Sequence, residues 1–320
     1  MIRLKRILDK KNMTEMDWQE YRKKQKGIGG SDASIILGLN PYKSAFTLWL
    51  EKTGQTKAPE INNEYVEWGN LLEPVIREKF KKETGFEVYE NHFVLQHDDH
   101  NFMLANLDGE VIDPQFNGEI GVLEIKTTSE RNMKDWEEGC PDHYMIQIQH
   151  YLAVTGYLYA YVVCLIGGHH FKYFLIHRDD YVIDKIISAE IDFQEKVEKN
   201  IAPEITGNES DSNYLASAFP DDNGDELHMS SEQEKKALTY FYIQEEIKAL
   251  QGQSEALKNQ IRLEAKDGKI FQGEKVKILM PTIKKIVFDS KKFASDYPEL
   301  YEQYKTKESN YRTFTIKYLK

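Results

Sequence analysis

The stretch Ala105-Asn-Leu-Asp-Gly-Glu110, followed after a turn by Val122-Leu-Glu-Ile-Lys-Thr-Thr128, decides the fold of this chain. Apolar and polar residues alternate in both halves, as is typical of β-strands. Pro114, Asn117 and Gly118 lie between the halves, and residues of these types favour a turn. The sequence therefore predicts a β-hairpin.

Three charged side chains converge in this predicted hairpin. Because side chains alternate between the two faces of a strand, Glu124 and Lys126 share one face, and pairing of the strands places Asp108 beside Glu124. Such a group is unfavourable unless the charges are solvated or something binds between them. Mg²⁺ fits, since it commonly takes one or two carboxylates together with a substrate phosphate. Lys126 would then orient a water molecule or stabilise charge at phosphorus. In the alternative interpretation, the charges simply face water on a surface hairpin.

Two spaced patterns follow one another in the middle of the chain. Asp-x(15)-Glu-x-Lys, at Asp108, Glu124 and Lys126, precedes Gln-x-x-x-Tyr, at Gln147 and Tyr151, on one face of a predicted helix. In this order the patterns resemble the PD-(D/E)XK nuclease superfamily and its RecB-like branch. The resemblance implies an α/β fold with a mixed central sheet flanked by helices. It also implies that the glutamine and the tyrosine contact DNA or position the lysine.

Three blocks near the start of the chain form a longer pattern: Gly27-Ile-Gly-Gly-Ser-Asp32, Leu39-Asn-Pro-Tyr42 and Leu48-Trp-Leu-Glu-Lys-Thr-Gly54. This pattern resembles the opening of the YqaJ-like viral recombinases, relatives of the phage lambda exonuclease. In that family the first block binds the 5′-terminal phosphate of duplex DNA through an arginine and a serine, which corresponds to Ser31. Lys24 or Lys26 stands where the arginine is expected, and lysine lacks the bidentate fork of arginine. From the residues alone, a structural turn before a helix capped by Ser31 or Asp32 is the alternative.

A predicted amphipathic helix, residues 64–82, precedes the hairpin and contains Glu73 next to Pro74. Proline removes a backbone hydrogen bond inside a helix, so we expect a kink here. The resemblance assigns Glu73 to the metal site, where the Ile125 carbonyl joins the two hairpin carboxylates. The predicted buried face of this helix consists of Tyr65, Trp68, Leu72, Val75, Ile76 and Phe80.

Composition and patterning divide the chain into a core over residues 1–205, a polar linker over 206–230 and an extension over 231–320, and the resemblance implies that the core is the nuclease. The extension begins with a long predicted helix and continues into a β-hairpin. The apolar seam of the helix fits a coiled-coil arm or packing on the chain's own core. His169 and His170, at the tip of a predicted hairpin in the core, are compatible with a metal site, but we expect a solvated hairpin tip.

The net charge is −11, and the 40% hydrophobic and 30% charged residues are ordinary for a globular protein. Residues 1–26 hold 9 Lys and Arg against 4 Asp and Glu, and residues 266–320 hold 13 against 7. These ends either hold DNA locally or simply solvate the chain. No apolar run reaches the roughly 18 residues of a membrane span, and we expect no secretory signal. Cys140 and Cys164 are too few for a zinc or iron–sulfur ligand set, so we expect a cytoplasmic location.

The family resemblance implies a Mg²⁺-dependent exonuclease, phage- or prophage-encoded, in which Mn²⁺ can substitute. The enzyme would digest linear double-stranded DNA from 5′ ends and leave 3′ single strands for annealing. The resemblance also implies a ring-shaped homo-oligomer, such as a trimer threaded by DNA, and an annealing protein as partner. Two alternatives stay open: an endonuclease of the same superfamily and a non-catalytic module that binds DNA ends.

Overall fold

The computed structural model describes residues 4–14, 17, 20–21, 27–56, 64–305 and 311–316. Lys24 and Lys26, the predicted phosphate-binding lysines, lie outside the described residues. The contacts within the chain form two compact units, Met1–Leu215 and Ala216–Lys320. The first unit thus extends past residue 205, where the nuclease core was predicted to end.

The first unit contains nine described strands. They are β1 (Lys5–Asp9), β2 (Ile28–Gly29), β3 (Glu87–Tyr89), β4 (Phe93–Gln96), β5 (Met103–Asn106), β6 (Gly109–Ile112), β7 (Ile120–Thr128), β8 (Tyr159–Ile166) and β9 (His170–His177). The helices are α1 (Gly30–Ile36), α2 (Ala45–Lys52), α3 (Glu64–Thr84), α4 (Asp142–Thr155), α5 (Asp180–Glu198) and α6 (Glu209–Ala218), which runs across the boundary between the units.

A five-stranded mixed sheet forms the centre of the first unit, in the strand order β3-β6-β7-β8-β9. β6 and β7 pair antiparallel, with Gly109 opposite Leu123, so the predicted hairpin is confirmed. β7 and β8 pair parallel and are connected through α4, whereas β9 returns antiparallel to β8. A second sheet has the order β1-β4-β5-β2. The predicted architecture, a mixed sheet flanked by helices, is therefore confirmed.

Helices cover both faces of the central sheet, because both faces of its strands are apolar. Phe80 of α3 clusters with Leu123 and Ile125 of β7 on one face. Leu152 of α4 clusters with Val122 on the other face. Since side chains alternate along a strand, the even-numbered residues of β7 point towards α4.

Helix α3 buries less of its predicted apolar face than its spacing indicates. Ile76 and Phe80 are buried as predicted, whereas Tyr65 is 80%, Trp68 58% and Val75 61% exposed, so the predicted burial of these three is wrong. Ile76 and Phe80, with Leu72 partly buried, pack on the sheet, whereas Tyr65, Trp68 and Val75 lie outside that cluster. Periodicity shows which residues share a helix face, but it does not show how far along the helix that face is covered.

The segment predicted as a polar linker begins with an ordered helix. Asp211 of α6 is only 1% exposed. Its carboxylate accepts hydrogen bonds from the Ser44 hydroxyl, from the Thr47 hydroxyl at 3.0 Å and from the Thr206 backbone N–H at 2.7 Å. Polar residues that suggested a loop therefore fix the start of α6 to the first unit.

The second unit contains the long predicted helix, α7 (Ser231–Ala265), which is confirmed. Its cap is Ser230 with Gln233 in a capping box, one residue earlier than the predicted pair Ser231 and Glu234. Among the described residues, no helix has both the length and the apolar character that crossing a membrane requires. The remaining elements are β10 (Ile270–Gln272), which pairs antiparallel with β11 (Lys277–Leu279), α8 (Ser290–Asp296) and α9 (Pro298–Tyr304).

Candidate active site

Asp108 lies in the short connection between β5 and β6, at the point where pairing with β7 ends. The last residue pair of the two strands is Gly109 with Leu123. The next backbone groups on this edge of β7, those of Ile125, are therefore not paired with β6 and can bind a side chain. Oδ2 of Asp108 accepts a hydrogen bond from the Ile125 N–H at 2.8 Å. In a strand the N–H and C=O of one residue face the same edge, so the Ile125 carbonyl faces Asp108 as well. Burial raises the pKa of Asp108.

Glu124 is 3% exposed and is held through one of its two carboxylate oxygens. Its Oε1 accepts hydrogen bonds from Nζ of Lys126 at 2.6 Å and from Nε2 of Gln147 at 2.7 Å. Its Oε2 is buried and has no hydrogen-bond partner among the described residues. Burial, and then the neighbouring Asp108 carboxylate, raise the pKa of Glu124. An ionised Glu124 therefore requires a further positive or proton-donating partner at Oε2.

Lys126 is held between a carboxylate and an aromatic ring. Burial disfavours its ammonium, but the charges of Glu124 and Asp108 outweigh burial and raise the pKa of Lys126. Its Nζ also lies 4.8 Å from the centre of the Tyr144 ring, within cation–π range. The Lys126 side chain is thus kept charged and in a fixed position beside Glu124.

Glu73 reaches the same cluster from α3, where it precedes Pro74 inside the helix. The guanidinium of Arg77 joins it to the hairpin, because Nη2 pairs with the Glu73 carboxylate and donates to the Asp108 carbonyl oxygen at 2.9 Å. Burial, and then the Asp108 charge, raise the pKa of Glu73 to about 7, although Arg77 opposes the shift. The structure therefore brings Glu73 together with the predicted carboxylates.

Gln147 and Tyr151 of α4 connect the carboxylates to the glycine-rich block. Nε2 of Gln147 donates to the Tyr151 hydroxyl at 2.9 Å as well as to Glu124. The Tyr151 ring packs on Gly30, where a Cβ would lie 2.4 Å from ring atom Cε1. The glycine is therefore required at this position for close packing, and its backbone does not adopt a positive φ.

Ser31 lies on the exposed first turn of α1. The helix begins at Gly30 with Gly29 as its N-cap, so the prediction of a Ser31 or Asp32 cap before Ala33 is wrong. Asp32 instead accepts a hydrogen bond from the Gly29 N–H at 3.1 Å, as the third residue of the helix. Among the described residues, Ser31 takes no part in the hydrogen bonds of the carboxylate cluster.

The cluster has the donor set of a site for a hard divalent cation. The buried Oε2 of Glu124 supplies an unpaired anionic oxygen. Asp108, the Ile125 carbonyl and Glu73 would supply further oxygen ligands, and Mg²⁺ and Mn²⁺ favour such ligands. Lys126 occupies the other oxygen of Glu124, so its ammonium does not compete for Oε2. The residues present therefore fit a divalent metal with a positively charged lysine beside it.

Two residues of this site were missed in the sequence, Arg77 and Tyr144. Arg77 is four residues after Glu73 on α3, which is the spacing of a helical ion pair. Tyr144 is three residues before Gln147 on α4, so it lies on the same helix face as Gln147 and Tyr151. Helical spacing was therefore the available signal for both residues, once the neighbouring site residues had been placed.

The metal-free protein should lose stability as pH rises from about 5 to about 8. The folded pKa of Glu73, about 7, lies above its ordinary value of 4.5. The folded state then holds the proton more tightly than the unfolded state does. This stabilisation is complete below the ordinary pKa and is lost as pH rises through the folded pKa. The pKa values of Asp108 and Glu124 are raised as well, so these groups contribute with the same sign.

Glu73→Gln isolates one part of this pH dependence, because glutamine keeps an oxygen for Arg77 but does not titrate. Thermal melts are recorded with a chelator at several pH values. As pH rises from about 5 to about 8, the Tm of the wild type should fall relative to that of the variant by a few degrees, since ~1 kcal/mol shifts Tm by about 2–4 °C at this size. His150 titrates in both proteins, because Glu190 outweighs burial and raises its pKa. Parallel Tm curves would contradict the assignment of Glu73.

Two relatives show how widely the sequence is shared. Residues 17–158 match the model of the YqaJ-like viral recombinase domain. YqaJ of Bacillus subtilis (strain 168) is 40% identical over 311 residues, which cover 95% of this chain and 95% of that protein. Protein D345L of African swine fever virus (isolate Tick/Malawi/Lil 20-1/1983) is 29% identical over 160 residues, covering 43% of this chain and 45% of that protein.

Two solved structures are similar to part of this chain. LHK-Exo, an alkaline exonuclease from Laribacter hongkongensis, has a TM-score of 0.46 at 21% identity and covers 57% of this chain and 94% of its own. A phage-related exonuclease from Haemophilus somnus 129PT has a TM-score of 0.41 at 15% identity. The match covers 55% of this chain and 95% of that chain. The domain match and the near full-length similarity to the Bacillus protein confirm the family predicted from the glycine-rich block: the chain belongs to the YqaJ-like viral recombinases.

Proposed function

We propose that this protein is a divalent-metal-dependent exonuclease that digests linear double-stranded DNA from 5′ ends, with Mg²⁺ as the ordinary metal. The product would be a 3′ single strand that an annealing protein uses in recombination. We assign the nuclease to the first compact unit, Met1–Leu215, which holds every described residue of the candidate site.

One observation carries the proposal. Glu124 is buried with Oε2 unpaired, while its Oε1 is fully engaged by Lys126 and Gln147. An unpaired buried oxygen costs free energy, and Glu190, which pairs with His150, has one as well; Glu124 differs because a second carboxylate and an ammonium lie beside it. The orphan oxygen, the adjacent Asp108 and the buried ammonium together favour a metal-assisted hydrolytic site over a solvated hairpin or a non-catalytic DNA-binding module.

Each residue has a separate role in the proposed reaction. Asp108, Glu124 and the Ile125 carbonyl would hold the metal, and Glu73 would complete the site. When bound, the metal supplies Lewis-acid polarisation of the phosphate and a lower pKa for the attacking water. Lys126 would stabilise charge on the phosphate oxygens and orient the water through its ammonium.

Gln147 and Arg77 would act on the carboxylates rather than on DNA. Gln147 holds Oε1 of Glu124 by a hydrogen bond, so Oε2 would be the oxygen available to a metal. Arg77 holds Glu73 next to the backbone of Asp108 and offsets part of their combined negative charge. Tyr144 limits the movement of Lys126 from the opposite side.

Recognition of the DNA end would involve Ser31 together with Lys24 or Lys26. Ser31 is exposed on α1, and Gly30 next to it packs on Tyr151 of α4. The two lysines lie outside the described residues and enter through their sequence positions alone. A terminal phosphate carries more charge than an internal diester, so a serine and a lysine favour it by electrostatics as well as by shape.

One experiment with three substrates tests this function. With Mg²⁺, an end-labelled linear duplex with 5′-phosphates should release nucleotides, and the same duplex with 5′-hydroxyls should be degraded more slowly. A covalently closed circle should stay intact. Cleavage of the circle would establish an endonuclease instead, and no hydrolysis of any substrate with Mg²⁺ or Mn²⁺ would leave a DNA-end-binding module. Moderate salt limits non-specific binding.

Ser31→Ala separates end recognition from chemistry in this assay. The variant should reduce the preference for 5′-phosphate and keep hydrolysis of the 5′-hydroxyl duplex, since Ser31 lies outside the carboxylate network. Ser212→Ala, an exposed serine of α6, is the matched control and should keep the preference. Equal rates on both duplexes in the wild type would exclude the phosphate site while the nuclease assignment stands.

The proposed assembly is a homo-oligomeric ring around DNA, such as a trimer, with an annealing protein as partner. The family resemblance supports the ring and the annealing partner. A ring also meets the need to stay on one strand during repeated hydrolysis. The mass of the purified protein in solution, by light scattering with and without DNA, measures the assembly directly.

A further inference from the structure

The turn between β8 and β9 presents two histidines next to each other on the surface. Gly167 and Gly168 have φ values of +61° and +78°, which favour glycine, and they reverse the chain tightly. His169 and His170 follow, with ring centroids 4.1 Å apart. The tip is therefore a narrow turn with two imidazoles projecting together into solvent.

Glu130 approaches this tip from the segment that follows β7. The Gly167 N–H donates to the carbonyl of Thr128 at 2.8 Å, which ties the turn to the end of β7. A Cβ at position 167 would lie 3.2 Å from Cβ of Glu130, so glycine lets the two segments approach closely. The Glu130 carboxylate thereby joins two histidines that are distant from it in sequence.

The ligand atoms of Glu130, His169 and His170 all lie within 4.8 Å of one another. Two ligand atoms bound at ~2.1 Å in a tetrahedral arrangement are ~3.4 Å apart, so the three exposed side chains would move closer together on binding one ion. Nδ1 of His169 lies 2.8 Å from the Gly167 carbonyl oxygen, which requires a proton on Nδ1. That hydrogen bond leaves the Nε2 lone pair of His169 free for a metal, as in many zinc sites.

We propose that Glu130, His169 and His170 bind a divalent transition-metal ion, for which Zn²⁺ is the probe. Two imidazoles and one carboxylate are ligands that zinc accepts readily, whereas Mg²⁺ favours oxygen alone. This site differs from the carboxylate cluster in its ligands and in its elements. Among the described residues it is the one set of three His, Cys, Asp or Glu with this geometry.

A bound ion would clamp the segment Glu130–Trp136 to the β8–β9 turn. This segment starts two residues after Thr128, the last residue of the strand that carries Glu124 and Lys126. The clamp would therefore stabilise the end of β7 without touching the proposed nuclease residues. Binding to the folded state alone raises Tm in proportion to the logarithm of ion concentration.

Zinc binding to the full chain, freed of any affinity tag, tests the proposal. The titration uses a chromophoric zinc chelator as competitor, with millimolar Mg²⁺ present and in an Asp108→Asn background, which removes the carboxylate cluster as a competing site. One zinc ion should bind per chain. His170→Ala should weaken binding by more than the ~10–100-fold that loss of an outer-shell contact costs. Glu130→Gln, which keeps shape but removes charge, should weaken it by at least about tenfold.

Two further measurements keep the result independent of folding and of nuclease activity. Zn²⁺ should raise the Tm of the Asp108→Asn protein and should not raise that of its His170→Ala version. His92→Ala, at another surface histidine, is the control and should bind zinc normally. Equal zinc affinity in the His170→Ala and control proteins, or binding that Mg²⁺ displaces, would overturn the site. Neither result depends on whether the chain hydrolyses DNA.

Discussion

Asp108→Asn should abolish metal-dependent hydrolysis of linear duplex DNA while leaving the fold intact. Asparagine keeps an oxygen that can accept the hydrogen bond from the Ile125 N–H, so the connection to β7 survives. It removes the negative charge that a hard cation requires. Metal catalysis is worth several kcal/mol and each 1.36 kcal/mol is tenfold in rate, so we expect a loss of at least about 10³-fold.

Release of acid-soluble nucleotides measures this loss, and thermal melting with circular dichroism measures the fold. The substitution also removes a buried charge whose pKa is raised by burial. The metal-free variant should therefore melt no lower than the wild type near neutral pH. Asp98→Asn, at an exposed aspartate between β4 and β5, is the matched control and should retain full activity. Cleavage at the wild-type rate by folded Asp108→Asn would exclude Asp108 from the site.

Lys126→Met should reduce turnover by about 10²–10³-fold, the usual cost of removing one group that stabilises transition-state charge. Its effect on metal affinity should stay below about tenfold, because two opposing changes accompany it. Loss of the ammonium removes a repulsive neighbour of the metal, but it also leaves Glu124 with one hydrogen-bond donor fewer. Methionine keeps the apolar stem beside Tyr144.

Calorimetric titration of Mn²⁺ measures the metal affinity of Lys126→Met, and single-turnover cleavage measures its rate of hydrolysis. Lys185→Met is the matched control, because Lys185 also lies over a tyrosine ring, 5.4 Å from the centre of Tyr181 on α5. That variant should change neither quantity. If Lys126→Met lost metal binding as completely as Asp108→Asn, the lysine would have to be reassigned to holding the metal ligands.

The hairpin and its charges could be predicted from the sequence because their signals are local. Alternation fixed the faces of β7, and the turn between Pro114 and Gly118 limited the register, so Asp108 had to lie near Glu124. The spacing of Gln147 and Tyr151 indicated that they share one face of α4, and a hydrogen bond joins their side chains in the structure. Within each element the signal depends on neighbouring residues or on spacings of four or fewer, and the short turn connects the two strands of the hairpin.

What could not be predicted depends on contacts between distant segments. Tyr65 and Trp68 repeat at helical spacing, yet both are exposed. Arg77 contacts the Asp108 carbonyl across 31 residues of sequence, and no local pattern specifies that contact. Glu130 likewise meets His169 only because two strand ends are adjacent in the sheet. Sequence spacing gives the face of an element, whereas the extent of its coverage is decided by tertiary packing.

The contact of Gly30 with Tyr151 limits the separation of two helices that carry proposed functional residues. Because a ring rests directly on a backbone with no side chain between them, α1 and α4 cannot move closer together without a clash. On the proposed function, Ser31 on α1 binds the terminal phosphate, and Gln147 on α4 fixes the carboxylate at the bond that is cut. On that proposal, the contact would limit how closely the residue that binds the terminal phosphate approaches the carboxylate site, and a larger residue at position 30 would push the two apart.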